Sequence, residues 1–271
     1  MQPKLLTYKD VCLCASDTAM FPGELHPALK AASDLWADAY NAIRYASRLL
    51  MYGPPGTGKS SAAIGYAVEG RPVERSFITD QTCWPEVRGH YIDGPSGTVY
   101  IHGPAIRAWL AGARYIVDEI DQAGGDCIPG LHGVADDAQV ARITLPNGET
   151  VTPARGFQFI ATTNQDPKSL PDALCDRFVI KKFIPHPDPQ MLMSLPAAIQ
   201  VAAAFALYSS NDDLKLKSLT SRAWVEMGRL MTTHGFDVEN VTRLMFGKGG
   251  AAIARAINLA ASKVSMQAAS I

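Results

Sequence analysis

Between His26 and Ala46 apolar side chains return every three or four residues (Leu29, Ala32, Leu35, Trp36, Ala39, Tyr40, Ile43), the spacing of one face of an amphipathic helix. The pattern then changes. Arg48-Leu-Leu-Met-Tyr52 is a short apolar run halted by Gly53, as expected of a strand buried on both faces, and Ser60 to Val68 reads as the helix that follows. Comparable runs at about Val73–Ile78, Arg114–Val117, Phe157–Ala161 and Phe178–Ile184 alternate with helical or loop material, so a five-stranded parallel α/β sheet is predicted.

Two stretches break the alternation. Gly89–Gly103 has strand-like segments around Gly94-Pro-Ser-Gly97, and Gln139–Val151 has them around Asn147-Gly148, a strong short-range hairpin signal. Beyond Pro185 strand signals stop, and helices are expected over about 189–209, 219–232 and 249–264. Residues 1–25 hold no sustained period and end in Phe21-Pro22-Gly23, so they read as an arm or linker. The predicted organisation is an arm over 1–25, an α/β domain over 26–185 and a small helical domain over 186–271.

Composition narrows the function classes. With 25 Lys plus Arg against 26 Asp plus Glu, the net charge of −1 offers no general attraction to nucleic acid or anionic lipid. Cys12, Cys14, Cys83, Cys127 and Cys175 are scattered and form no C-x-x-C pair, which argues for half-buried thiols in a reducing compartment. The amino-terminal stretch lacks the apolar run of a secretory signal, and Leu195–Tyr208 is too short to cross a bilayer. A cytoplasmic location without membrane contact is expected.

Chemistry concentrates where the strands end. Gly53-Pro54-Pro55-Gly56-Thr57-Gly58-Lys59-Ser60 matches G-x-x-x-x-G-K-[ST], with a predicted strand entering it and a helix leaving it. Glycines allow consecutive backbone N–H groups to turn toward phosphate oxygens. Lys59 then reaches the β and γ phosphates, and the Ser60 hydroxyl ligates Mg²⁺. The strand Arg114–Val117 runs into Asp118-Glu119, two carboxylates at the edge where ligands of open α/β sheets bind. Asp118 suits Mg²⁺ through its water shell, and Glu119 suits polarisation of an attacking water. Asp121 is read as structural or solvent-facing. The strand from Phe157 leads to Asn164, whose amide can both donate and accept.

These motifs, with Tyr115-Ile-Val-Asp-Glu-Ile-Asp121, resemble the AAA+ superfamily. Pro171-Asp-Ala-Leu-Cys-Asp-Arg177-Phe178 is similar to a box of its MoxR-type and dynein-related members. The resemblance implies a P-loop nucleoside triphosphatase fold: a three-layer parallel sheet with helices on both faces, two β-hairpin insertions and an α-helical lid. It implies ATP and Mg²⁺ as cofactors, Asn164 as first sensor, and Arg177 as a finger given to the adjacent subunit of a ring, in number a hexamer. Leu219-Thr-Ser221-Arg222 resembles the second sensor, with Arg229 in reserve. Ion pairing stays open for both arginines: Arg177 with Asp172 or Asp176, Arg222 with a surface carboxylate. The hairpins correspond to insertions that face the ring's pore. Tyr91, Tyr100 and His102 are therefore candidates to touch a protein client, or the tyrosines simply pair across strands.

Two classes follow. The first is an ATP-driven remodeller of a protein client, in the manner of MoxR-type proteins that act with von Willebrand factor A domain partners. The second is a nucleic-acid factor such as a helicase loader or a GTP- or ATP-driven restriction-type ring. The second hairpin disfavours it, because it carries one arginine, no lysine and the acidic Glu149.

Overall fold

The parallel sheet is built from β1 (Arg48–Tyr52), β2 (Val73–Phe77), β5 (Arg114–Asp118), β8 (Gln158–Thr163) and β9 (Ile180–Phe183), in the order β2-β5-β8-β1-β9. The computed structural model describes residues 26–66, 71–95, 97–208 and 216–268. The expected arm, with Cys12 and Cys14, lies outside them. β5 and β8 are buried along their whole lengths, while β2, at an edge, alternates between exposed and half-buried positions. Its sequence Val-Glu-Arg-Ser-Phe is accordingly the most polar of the five, which helps keep an open edge from pairing with another chain.

Helices cover both faces of the sheet. Leu50, Tyr115, Val117, Phe159 and Ala161 project to one side, into a core completed by Trp109 of α4 (Pro104–Ala111), Leu131 of α5 (Cys127–Ala135) and Leu174 of α6 (Asp172–Arg177). Tyr115, Phe159 and Phe178 stack in sequence across it, with ring centroids 5.7 and 5.4 Å apart. On the other side α2 (Lys59–Gly65) lies against β5 and β8. Cys83, Cys127 and Cys175 are free thiols.

Both hairpins form. β3 (Gly89–Gly94) pairs with β4 (Gly97–His102) after the short helix α3 (Trp84–Arg88), and the two-residue strands β6 (Ile143–Thr144) and β7 (Thr150–Val151) flank the Asn147-Gly148 turn. His102 of the first approaches Glu149 of the second at 3.8 Å.

The chain divides into two compact units, Ala39–Ile184 and a second made of Pro185–Ile271 with the residues preceding Ala39. Helix α1 (His26–Tyr45) therefore contributes to both, whereas the sequence pattern placed it whole in the α/β domain. In the helical unit the stretch expected as one helix over 189–209 is two, α7 (Gln190–Met193) and α8 (Ala197–Tyr208). Pro196 ends the first and starts the second, since it cannot donate into a preceding turn. α9 (Ser221–His234) begins at a Thr220 cap, and α11 (Gly250–Ala268) is the last helix among the described residues. Between them lies α10 (Val238–Phe246), which the periodicity argument passed over. Its Asp237 carboxylate accepts from Asn240 N–H at 2.7 Å, a standard N-terminal cap. Leu29, Ala32, Ile199, Trp224, Met227, Val241 and Ile257 form this unit's core. No helix among the described residues is long and apolar enough to cross a membrane.

Candidate functional site

Parallel pairing brings the carboxyl ends of β5, β8 and β1 side by side, with Val117 opposite Ala161 and Thr163 opposite Tyr52. The residues just past those ends are Glu119, Asn164 and Gly53, so register alone gathers the three motifs. Gly53 leaves β1 at φ 136°, and a Cβ there would come within 2.5 Å of the Ile184 carbonyl oxygen. Only glycine fits. Pro54 and Pro55 are exposed, Gly56 is half-buried, and buried Thr57 donates its hydroxyl to the Pro54 carbonyl at 3.2 Å. Gly58 takes φ 93° before α2, turning the chain so that Lys59 and Ser60 open the helix.

Lys59 is buried, and its ammonium donates to the Gly53 carbonyl (2.8 Å), the Pro54 carbonyl (2.8 Å) and Oδ1 of Asn164 (3.1 Å). Burial lowers its pKa from 10.5 to about 8, although Asp121 and Glu119 nearby act in the opposite direction. All three acceptors are neutral oxygens. Phosphate oxygens offer the same cation stronger, charge-assisted bonds.

Asp118 ends β5 and is 2% exposed. Its Oδ1 accepts from the Thr162 hydroxyl at 2.9 Å and its Oδ2 from Arg75 Nε at 2.5 Å. Neither Arg75 nor Thr162 is apparent from local motifs. They meet Asp118 only because β2 and β8 flank β5. Glu119 follows at φ 56°, ψ 48°, the one non-glycine residue with positive φ among the described residues. A left-handed glutamate costs on the order of 1 kcal/mol and marks a position held by its surroundings. Asp121 does have a structural bond, accepting from the Thr163 hydroxyl at 2.5 Å, while Thr163 Oγ1 accepts from Gln165 N–H at 2.9 Å. That pair grips both sides of Asn164.

Ser60 and Asp118 are hard oxygen donors, suited to Mg²⁺. No group of three or more His, Cys, Asp or Glu among the described residues could hold a metal unaided. An ion held mainly by phosphate and water needs only one or two protein oxygens.

Arg177, at the end of α6, donates from Nε to Asp136 Oδ1 at 2.6 Å and from Nη1 to the Ala173 carbonyl at 2.6 Å. The alternative of an ion pair with Asp172 or Asp176 does not form; the carboxylate that Arg177 meets, Asp136, is 41 positions away. In the helical unit Arg222 is exposed on the first turn of α9, and Arg229 grips Glu226 through two bonds of 2.9 and 2.6 Å. Tyr91 and Tyr100 pair across the first hairpin edge-to-face at 5.3 Å, and Tyr100 continues to His102 at 5.7 Å. The opposite face of the ribbon carries Ile92, Val99 and Ile101, all exposed.

The AAA domain family, dynein-related subfamily, matches residues 48–178. The chain is 31% identical over 145 residues to protein NorQ of Paracoccus denitrificans, covering 51% of this chain and 53% of that protein. An uncharacterised protein of Staphylococcus saprophyticus is 31% identical over 153 residues, covering 53% and 57%. The chain thus spans about half the length of the curated relatives it matches. Among solved structures, NtrX from Brucella abortus is 15% identical with a TM-score of 0.47, over 85% of this chain and 67% of that one.

Proposed function

From a AAA domain of the dynein-related subfamily, to which residues 48–178 belong, we propose an ATP- and Mg²⁺-dependent ring that spends hydrolysis on remodelling a protein client. The observation that carries the reading is the convergence of Lys59, Asn164 and the Asp118-Glu119 pair at three adjacent strand ends. Lys59 exchanges its carbonyl partners for the β and γ phosphates. Ser60 and Asp118 hold Mg²⁺, which supplies charge neutralisation of the phosphates, and Glu119 takes the proton of the attacking water. Asn164 orients that water, and its position is fixed by the Thr163–Asp121 bond.

Arg177 completes the site of a neighbouring subunit. It is part-exposed and held by one carboxylate and one helix carbonyl, so it can be handed over at modest cost. Arg222 serves as second sensor. The hairpins, close enough for His102 and Glu149 to approach each other, receive the client, for which a von Willebrand factor A domain protein is the leading class. A nucleic-acid client is disfavoured by the same acidic Glu149, which lies exposed in the second hairpin.

Glu119→Gln should bind ATP, fail to turn it over and retain its client in pull-down. Recovery of nucleic acid with no protein would sink the remodeller reading. Turnover per subunit should rise with protein concentration and vanish in Arg177→Ala. A mixture of Arg177→Ala with Glu119→Gln should regain part of the activity, since some interfaces then pair an intact Glu119 with an intact Arg177.

A further inference from the structure

Asp118 has almost no contact with solvent, yet its Oδ2 is bonded at 2.5 Å to a guanidinium that is half-exposed. A buried carboxylate is costly unless a cation and hydrogen bonds meet it. Thr162 supplies one hydrogen bond and Arg75 the countercharge, reaching across from the edge strand. The two partners differ in freedom. Asp118 is locked at the end of a fully buried strand, whereas Arg75 sits on β2, where alternate positions open to water.

We propose that Arg75 is a displaceable counter-ion of Asp118, a positioning residue that keeps the carboxylate aimed and neutralised while the site is empty and gives way when Mg²⁺ arrives with the nucleotide. The inference rests on the Mg²⁺-nucleotide reading above. Because Asp118 cannot retreat, guanidinium and metal compete for the same carboxylate, and the half-exposed arginine is the one that can return to solvent at little cost. Arg75 thereby sets how much Mg²⁺ the site requires, and it spares the empty protein an unpaired buried charge.

The test compares native protein with Arg75→Ala and Arg75→Gln, the latter keeping an N–H donor for Asp118 so that folding is preserved. A fluorescent, slowly hydrolysed ATP analogue is bound first in EDTA, then titrated with Mg²⁺. Melting temperature is followed in parallel. Both variants should reach half-saturation at roughly two- to fivefold less Mg²⁺ than native protein, about the strength of one part-exposed ion pair. Arg75→Ala should also gain more in melting temperature from Mg²⁺-nucleotide than native protein does. Half-saturation within twofold of native in both variants, or shifted upward, overturns the proposal. Failure of native protein to bind the analogue under any condition would instead remove the nucleotide reading itself.

Discussion

The same strands carry two buried cations, one at each end, and they are treated differently. At the carboxyl ends Lys59 holds two loop carbonyls and a side-chain amide. At the amino ends Arg114, fully buried on β5, donates to Gln158 Oε1 (2.6 Å) and to the carbonyls of Ala63 (2.7 Å), Tyr66 (2.7 Å) and Ile43 (3.2 Å). Gln158, its register partner on β8, donates in turn to the carbonyls of Ile43 and Ala46 at 2.7 and 2.6 Å. These carbonyls belong to the final turns of α1 and α2, where helices leave acceptors unmet and favour a positive charge. Burial lowers the pKa of Arg114 to about 10, which still leaves it charged at neutral pH. Neither cation hydrogen-bonds a carboxylate. One is bound by four acceptors at helix and strand ends in a structural role, the other by three acceptors around a loop that an incoming anion can replace.

The largest expected effect is on the structural end. Arg114→Met should cost about 3–5 kcal/mol, because several buried carbonyls lose their donor, and lower the melting temperature on the order of 10 °C. Nucleotide affinity of the protein still folded at low temperature should change by no more than about threefold, or the contrast between the two ends fails. Lys59→Met should do the reverse. At pH 7 it should abolish nucleotide binding while changing the stability of the empty protein by no more than about 1 kcal/mol, because the unfavourably buried charge and its three hydrogen bonds are lost together. Chemical denaturation without nucleotide checks the size.

The pH dependence sharpens the same contrast. Lys59 has a folded pKa of about 8, below its ordinary 10.5. Between those values the unfolded chain binds the proton more tightly, so stability from this group rises from about pH 8 toward pH 10.5. Nucleotide affinity should move the opposite way and fall above about pH 8, since the ammonium is the form that meets phosphate. Arg114, with a folded pKa of about 10, should add to that rise only from about pH 10 upward. A smaller effect belongs to Glu119→Gly, which relieves a left-handed side chain and should stabilise by about 1 kcal/mol while turnover drops roughly 10²- to 10⁴-fold. Smallest in stability is Val99→Thr on the exposed hairpin face, expected within about 0.5 kcal/mol, with weakened client capture as the readout.

What could be read from the sequence divides along the same line. The phosphate loop, Asp118-Glu119 and Asn164 are contiguous words, because a loop that wraps phosphate must use consecutive backbone groups. The strands that deliver them announce themselves as apolar runs. Arg75, Thr162 and Arg114 act across strands, so their meaning depends on register, which one strand's sequence does not contain. Arg114 reads locally as a polar start to an apolar strand. Arg177 was legible as a charged residue at a helix end, but its partner Asp136 was not, being 41 positions distant. Helix α10 could have been found: Asp237 precedes Val238, Val241 and Met245 at helical spacing. The aromatic pair of the first hairpin drew attention to its tyrosines, whose ring contacts tie them to each other while Tyr91 stays exposed, and the aliphatic face, equally exposed, carried no such signal.

Arg114 has one more consequence, which is mechanical. Helix α2 begins at Lys59 and ends, about 10 Å further on, at carbonyls seated on this guanidinium, and the same guanidinium holds the last turn of α1. The arginine is therefore a pivot shared by two rods. Any push on the front of α2 loads the back of α1 through a single rigid joint.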